Sequence, residues 1–110
     1  MININFENPV ISEENILQIT TSEIDNLYSI LTETDQFNLF FVLLTTMDEY
    51  EKKDKIEAAA HVAYLLSYYL FVALTPPGSE QLALRYAEKA IEMNPVDIHK
   101  NWKKFVIDGN

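Results

Sequence analysis

The sequence predicts an all-α fold: a single-domain bundle of about six helices with a short extended N-terminal arm. Three observations predict it. Apolar residues recur at i, i+3, i+4 and i+7, as in Ile24, Leu27, Tyr28 and Leu31. Periodic stretches are preceded by helix-capping residues and closed by breakers such as "TPPG" (75–78) and "NP" (94–95). The one alternating segment, "MININF" at the start, has no second strand to pair with. With 110 residues, 48% of them apolar, the chain can build its own core.

In "MININF", Ile2, Ile4 and Phe6 alternate with polar residues, which predicts an extended arm packed on the bundle and closed by Pro9. Ser12 is placed to cap a short first helix ending near Thr20, with Glu13 and Glu14 in its first turn, where the helix dipole favours acids. Ser22 and Asp25, three apart, read as a variant capping box for the second helix. Asp35 reads as the cap of the third, "QFNLFFVLLTTMDEYE", which leaves Glu33 late in the second. In the third helix Phe37, Phe40, Phe41 and Leu44 form one face, while Leu39, Val42 and Leu43 add apolar surface elsewhere. The third helix should therefore be buried on several sides.

"KKDK" is a charged break in which Asp54 can cap a long fourth helix reaching Leu74. From Ala58 to Leu74 no residue carries a formal charge, so a membrane span has to be weighed. The stretch is at the short limit for a span. It contains His61, Ser67 and three tyrosines, and no basic flank comes after it, so a core helix is the better reading. Ser79 is placed to cap the fifth helix, through Met93. Asp97 does the same for a last helix over 97–107, which should dock Trp102 and Phe105 with its lysines in water. Ala59, Ala63 and Ser67 stack along helix four, as Ala83, Ala87 and Ala90 do along helix five. Small residues in such rows let two backbones approach, so residues 55–95 should form a tight antiparallel hairpin.

Part of that hairpin has a familiar pattern. In "GSEQLALRYAEKAIEMNP" (78–95), Gly78 at the turn, then Ala83, Leu84, Tyr86, Ala90, Ile91 and the closing Asn94-Pro95 resemble the second helix of a tetratricopeptide repeat. The helix before it matches at Leu70, but Ser67, Phe71 and Leu74 depart from the repeat's usual residues, and Pro76-Pro77 alters the turn. With no second copy at a 34-residue period, the resemblance implies one hairpin within a bundle rather than a solenoid.

Composition narrows the function. The absence of cysteine removes disulfides, thiolate metal sites and cysteine nucleophiles, and fits a reducing compartment. The first residues have neither a basic nor an apolar leader region, so a cytoplasmic location is expected. The two histidines sit apart. Glu57 and His61 are one helical turn from each other but do not make a three-ligand metal site, and His61 among alanines reads as a packed side chain with one satisfied nitrogen. His99 has Asp97 within reach but no nucleophile beside it. Phosphate-cradling loops are absent, and "HKNWKKF" reads as a docked amphipathic end rather than a nucleic-acid site. Tyr64, Tyr68 and Tyr69 read as core. No enzyme, cofactor, metal or membrane role is expected, and the net charge of −9 argues against direct contact with nucleic acid.

The distribution of charge carries the functional signal. Residues 1–51 hold ten acids and no lysine or arginine; residues 52–110 hold seven acids and all eight bases. Dipoles account for acids at helix starts, but not for the lack of bases beside them, where glutamate–lysine pairs normally help. A general solubility role is one reading. The preferred one is a basic protein partner, steered and then held by these carboxylates. The candidate contacts are Glu13, Glu14, Glu23, Asp25, Glu33, Asp35, Asp48, Glu49 and Glu51, with Tyr28 and Tyr50 as aromatic anchors.

A small, acidic, cysteine-free helical chain rich in isoleucine and asparagine resembles the immunity proteins of bacterial toxin–immunity systems, such as the partners of nuclease colicins and of contact-dependent growth inhibition toxins. That resemblance implies an antitoxin: a cytoplasmic inhibitor that binds one cognate toxin domain, commonly a basic nuclease, and blocks its active site. The tetratricopeptide resemblance implies an alternative, an adaptor or secretion chaperone that binds a peptide on the 55–95 hairpin.

Overall fold

A computed structural model describes residues 4–109. Ile2, part of the expected arm, lies outside them. Among the described residues the regular structure is helical with no strand, in six α-helices and one π-helical segment: α1 (Glu13–Ile16), α2 (Thr21–Ile30), α3 (Glu33–Lys52), α4 (Ile56–Tyr68) continued as π-helix over Tyr69–Leu74, α5 (Ser79–Met93) and α6 (Asp97–Asp108). The all-α bundle expected from the periodicity is therefore present. Its radius of gyration, 12.8 Å, is that of one globule of this length.

The core is built around α4. Ala58–Ala60 and Val62–Ser67 are all buried, because α3 and α5 pack on the helix and the His99 and Trp102 side chains of α6 reach over to Tyr64 and Ser67. The Ile56–Leu74 helix is long and apolar enough to cross a membrane, but most of its apolar surface, from Ala58 to Leu70, is buried inside the globule. The rows of small residues act as expected. Ala83, Ala87 and Ala90 of α5 are fully buried, and Ser67 Oγ donates to the Ala83 carbonyl at 2.6 Å. The same oxygen accepts from Trp102 Nε1 at 2.7 Å, so one hydroxyl ties α4, α5 and α6 together.

Several expected caps shift, and each shift has a local reason. Ser12 does cap α1, accepting from Asn15 N–H at 3.3 Å, but the α-helix stops at Ile16 and continues only as turns to Ile19. The cap of α2 is Thr20, not Ser22. Glu23, three residues on, is long enough to reach back to the Thr20 N–H, closing a reciprocal box that the shorter Asp25 could not complete from Ser22. The cap of α3 is Thr32, not Asp35; Thr32 Oγ1 accepts from the Asp35 N–H at 3.2 Å. Glu33 thus opens α3 instead of ending α2.

Asp54 does not cap α4; it terminates α3. It adopts the left-handed conformation at φ +56°, its N–H donates to the Glu51 carbonyl, and Lys55 N–H donates to the Tyr50 carbonyl at 2.8 Å. That is a Schellman ending, a geometry that aspartate tolerates better than most residues. Gly78 in the left-handed region, rather than Ser79, precedes α5, and Val96 rather than Asp97 precedes α6, neither with a side-chain cap.

From Asn5 to Asn8 the arm turns instead of running extended, with Asn8 N–H donating to the Asn5 carbonyl at 3.2 Å. Asn5 Oδ1 accepts from Glu7 N–H and Asn8 N–H, the local bonding by which asparagine competes with extended backbone. Ile4, Phe6 and Val10 still pack on the core. Thr46 of α3 anchors the end of the arm: its Oγ1 accepts from Ile11 N–H at 3.1 Å and lies in hydrogen-bond range of the Val42 and Pro9 carbonyls.

Candidate partner interface

The structure sorts the expected contact residues into two groups. At the C-terminal end of α3 and beside it, the acids have partners within the chain. Asp48 pairs with Lys52 at 3.3 Å, Glu49 with Lys53 at 2.7 Å, and Glu51 with Lys89 of α5 at 3.1 Å; Glu13 lies 3.7 Å from Lys55. The bases come from residues 52–110, so the countercharges for this group belong to the same molecule. That corrects the expectation that the acidic half is unpaired throughout.

The second group has no such partner. Among the described residues, no base lies within ion-pair distance of Glu14, Glu23, Asp25, Glu33 or Asp35. Glu23 is occupied by its capping box, and Asp35 accepts from the Asn38 amide at 3.2 Å. Asp25 accepts from the Tyr68 hydroxyl at 2.9 and 3.1 Å. Burial, then this carboxylate, pushes the Tyr68 phenol up to about 12. Glu14 and Glu33 are exposed, and no hydrogen bond holds either carboxylate.

Tyr50 is not an anchor. It is 7% exposed, and its hydroxyl donates to the Ile11 carbonyl at 2.5 Å. Burial, then the negative charge of Glu13, raises its phenol pKa. Tyr28 is half-buried and meets the ring of buried Tyr69 edge-on at 6.1 Å. Tyr69 in turn donates to the Gln36 carbonyl.

The aromatic surface beside the unpaired acids comes from residues expected in the core. The buried face of α3 is Leu39, Val42, Leu43, Thr46, Met47 and Tyr50. Phe37 and Phe41 point outward, 50% and 59% exposed, and Glu33 precedes Phe37 by one turn. The phenylalanine face of α3 is thus in part its outer face. A signal was present: Thr34, Asn38, Thr45 and Asp48 share the Phe37–Phe41 side at helical spacing, whereas past the first turn, which holds Asp35 and Gln36, only Thr46 is polar on the Leu39–Leu43 side. Phe6 and Pro9 of the arm, with Asn38, Phe41, Val42 and Thr45 of α3, line an open groove of about 310 Å³ along this face.

Elsewhere the polar side chains have structural tasks. His61 Nε2 lies 2.7 Å from the Ile19 carbonyl, and burial lowers the pKa of the ring. His99 is buried and bonds through Nδ1 to the Asn94 carbonyl at 2.8 Å, not to Asp97. Among the described residues no three His, Asp or Glu side chains gather as metal ligands would. Trp102 docks as expected, its ring meeting those of Tyr64, Tyr68 and Phe71. Phe105 stacks on Trp102 but stays 44% exposed.

No protein-family model, no curated protein and no solved structure matches this chain.

Proposed function

We propose that the chain is a non-enzymatic, protein-binding inhibitor: an antitoxin of the immunity type, acting in the cytoplasm on a basic toxin domain, with a nuclease the best fit to its charge. The observation that carries the reading is the unpaired end of the acidic half. There Glu33 stands exposed without a base, next to two phenylalanines that a lone soluble domain has reason to bury. Carboxylates around an exposed aromatic strip suit a positive protein surface. Charge speeds the encounter, and the rings supply area that is buried on docking.

The adaptor reading draws less support. A peptide on the 55–95 hairpin needs an open apolar face on α4, and that face is covered by α6, whose Trp102 is hydrogen-bonded to Ser67.

The test is co-expression with the C-terminal domain encoded by the gene immediately upstream. If the proposal holds, that domain arrests growth when expressed alone, growth returns when this chain is present, and the two co-purify with an association rate that falls as salt rises. A toxic domain that this chain neither binds nor silences would remove the reading.

A further inference from the structure

We infer that the groove between the N-terminal arm and the outer face of α3 is where the partner docks, and that it takes an amphipathic basic segment. An apolar side chain of that segment sits against Phe41, and a lysine or arginine faces Glu33. This rests on the proposal of a basic protein partner and says which surface and which chemistry the two share.

Three features point to that occupant. The groove is built: Phe6 and Pro9 form one wall, Phe41 the other, and Asn38 and Thr45 add polar groups between them. The arm wall is fixed to α3 by Thr46, which accepts from Ile11 N–H and ranges to Pro9. The apolar strip is open, with Phe37 and Phe41 each at least half exposed and spaced four residues apart.

Charge then selects the occupant. Every lining residue comes from the part of the chain that has ten acids and no base. The lysines that neutralise α3 act at its far end, on Asp48, Glu49 and Glu51. Each i, i+4 step on a helix surface spans about 6 Å, so Glu33 lies one step from Phe37 and two steps, about 12 Å, from Phe41. A partner helix with an apolar residue and a cation seven or eight positions apart matches that spacing. Of the other exposed apolar residues, Ile98, Phe105 and Ile107 share α6 with Lys100 and Lys104, which would repel the same segment, and Ile30 at the end of α2 lines no groove with a second aromatic ring.

The probe is a short helical peptide with leucines at i and i+4 and arginines flanking them, titrated into the whole isotope-labelled chain. Amide signals of Phe37, Asn38, Phe41 and Thr45 are expected to move, and a peptide with glutamate in place of arginine should leave them still. Replacing both Phe37 and Phe41 by alanine should weaken the peptide on the order of 30-fold, as loss of a central aromatic anchor does. Glu33→Lys should weaken it and flatten its salt dependence, while Ile107→Ala leaves it unchanged. These sites are exposed, so an unaltered melting curve verifies each variant's fold.

The inference is overturned if the shifts map to α6, if the acidic peptide shifts the same amides, if neither peptide shifts them, or if sedimentation shows that the face is filled by a second copy. The growth assay separates the two proposals. Full protection by the Phe37→Ala/Phe41→Ala chain sinks the docking site and leaves the inhibitor reading. Loss of protection by the unaltered chain, with the peptide still mapping to the groove, does the reverse.

Discussion

The two ends of α3 are both acidic, and the structure treats them differently. At the C-terminal end, Asp48, Glu49 and Glu51 stand where the helix dipole disfavours them, and each has a lysine. At the N-terminal end, Glu33 and Asp35 stand where the dipole favours them, and neither has a base among the described residues. The dipole therefore stabilises the unpaired acids, and ion pairs offset the misplaced ones. Local helix physics explains the placement of all five charges. It does not explain why the favourably placed acids lie beside two exposed phenylalanines, and that combination sets the N-terminal end apart.

The largest expected effect tests the inversion of faces on which this contrast depends. Leu43 is fully buried and Phe41, two residues earlier, is 59% exposed. Leu43→Ala should cost about 2–5 kcal/mol by opening a cavity in the core. Phe41→Ala should cost under about 1 kcal/mol, since it loses little beyond an edge contact with Phe40 at 5.2 Å. Urea unfolding of both variants decides the matter. If Phe41→Ala is the more damaging, the outer face is core after all.

That pair also marks what was legible in the sequence. The number of helices and the small-residue contact of α4 with α5 could be read, and so could the core stretch 58–74 as far as Leu70, because burial on most sides leaves a continuous apolar signature; beyond Leu70 that signature misleads, since Val72 is 45% exposed. The orientation of α3 could not be read from apolar content alone, since Phe37, Phe40 and Phe41 outweigh Leu39, Val42 and Leu43 in bulk. The polar residues sharing each face held the answer. The cap of α2 was missed because two candidates stood two residues apart: Thr20 and Ser22 each have an acid three residues on, and only side-chain reach separates them. The lysine partner from α5 and the groove against the arm join residues far apart in sequence, so no local pattern announces them.

Next in size is the tie between the arm and α3. Thr46→Val keeps the shape of a buried side chain but leaves Ile11 N–H without its acceptor, which should cost about 1–3 kcal/mol. Because the arm walls the groove, amide exchange should quicken over residues 6–11 while the C-terminal ion pairs stay intact. Slow exchange there would mean that the arm is held by Ile4, Phe6 and Val10 alone.

Smaller still, and sharper for the comparison, is the charge at each end. Glu33→Gln removes a favourable dipole contact and should cost about 0.3–1 kcal/mol. Glu51→Gln removes a partly exposed ion pair, for about 0–1 kcal/mol. Stability barely distinguishes them. The rate of association with a basic domain does: it should drop for Glu33→Gln and hold for Glu51→Gln, whose charge is already met by Lys89. Equal rates would dissolve the distinction between the ends.

The smallest effect concerns how α3 stops, and so what keeps its paired acids beside their lysines. Asp54 holds a left-handed conformation at φ +56°, which costs an ordinary side chain about 1–2 kcal/mol and aspartate less. Glycine removes that penalty but gives back about 0.4–1 kcal/mol through the freedom it adds to the unfolded chain. Asp54→Gly should therefore stabilise by roughly 0.5 kcal/mol or leave stability level, the difference of those two effects, whereas Asp54→Val, branched at Cβ, should lose the full penalty. If Asp54 were the cap of α4 instead, glycine would be tolerated there too, but Asp54→Ser would be neutral. At a left-handed position serine lacks aspartate's local hydrogen bonding, so a measurable loss with serine assigns the residue to the end of α3 rather than the start of α4.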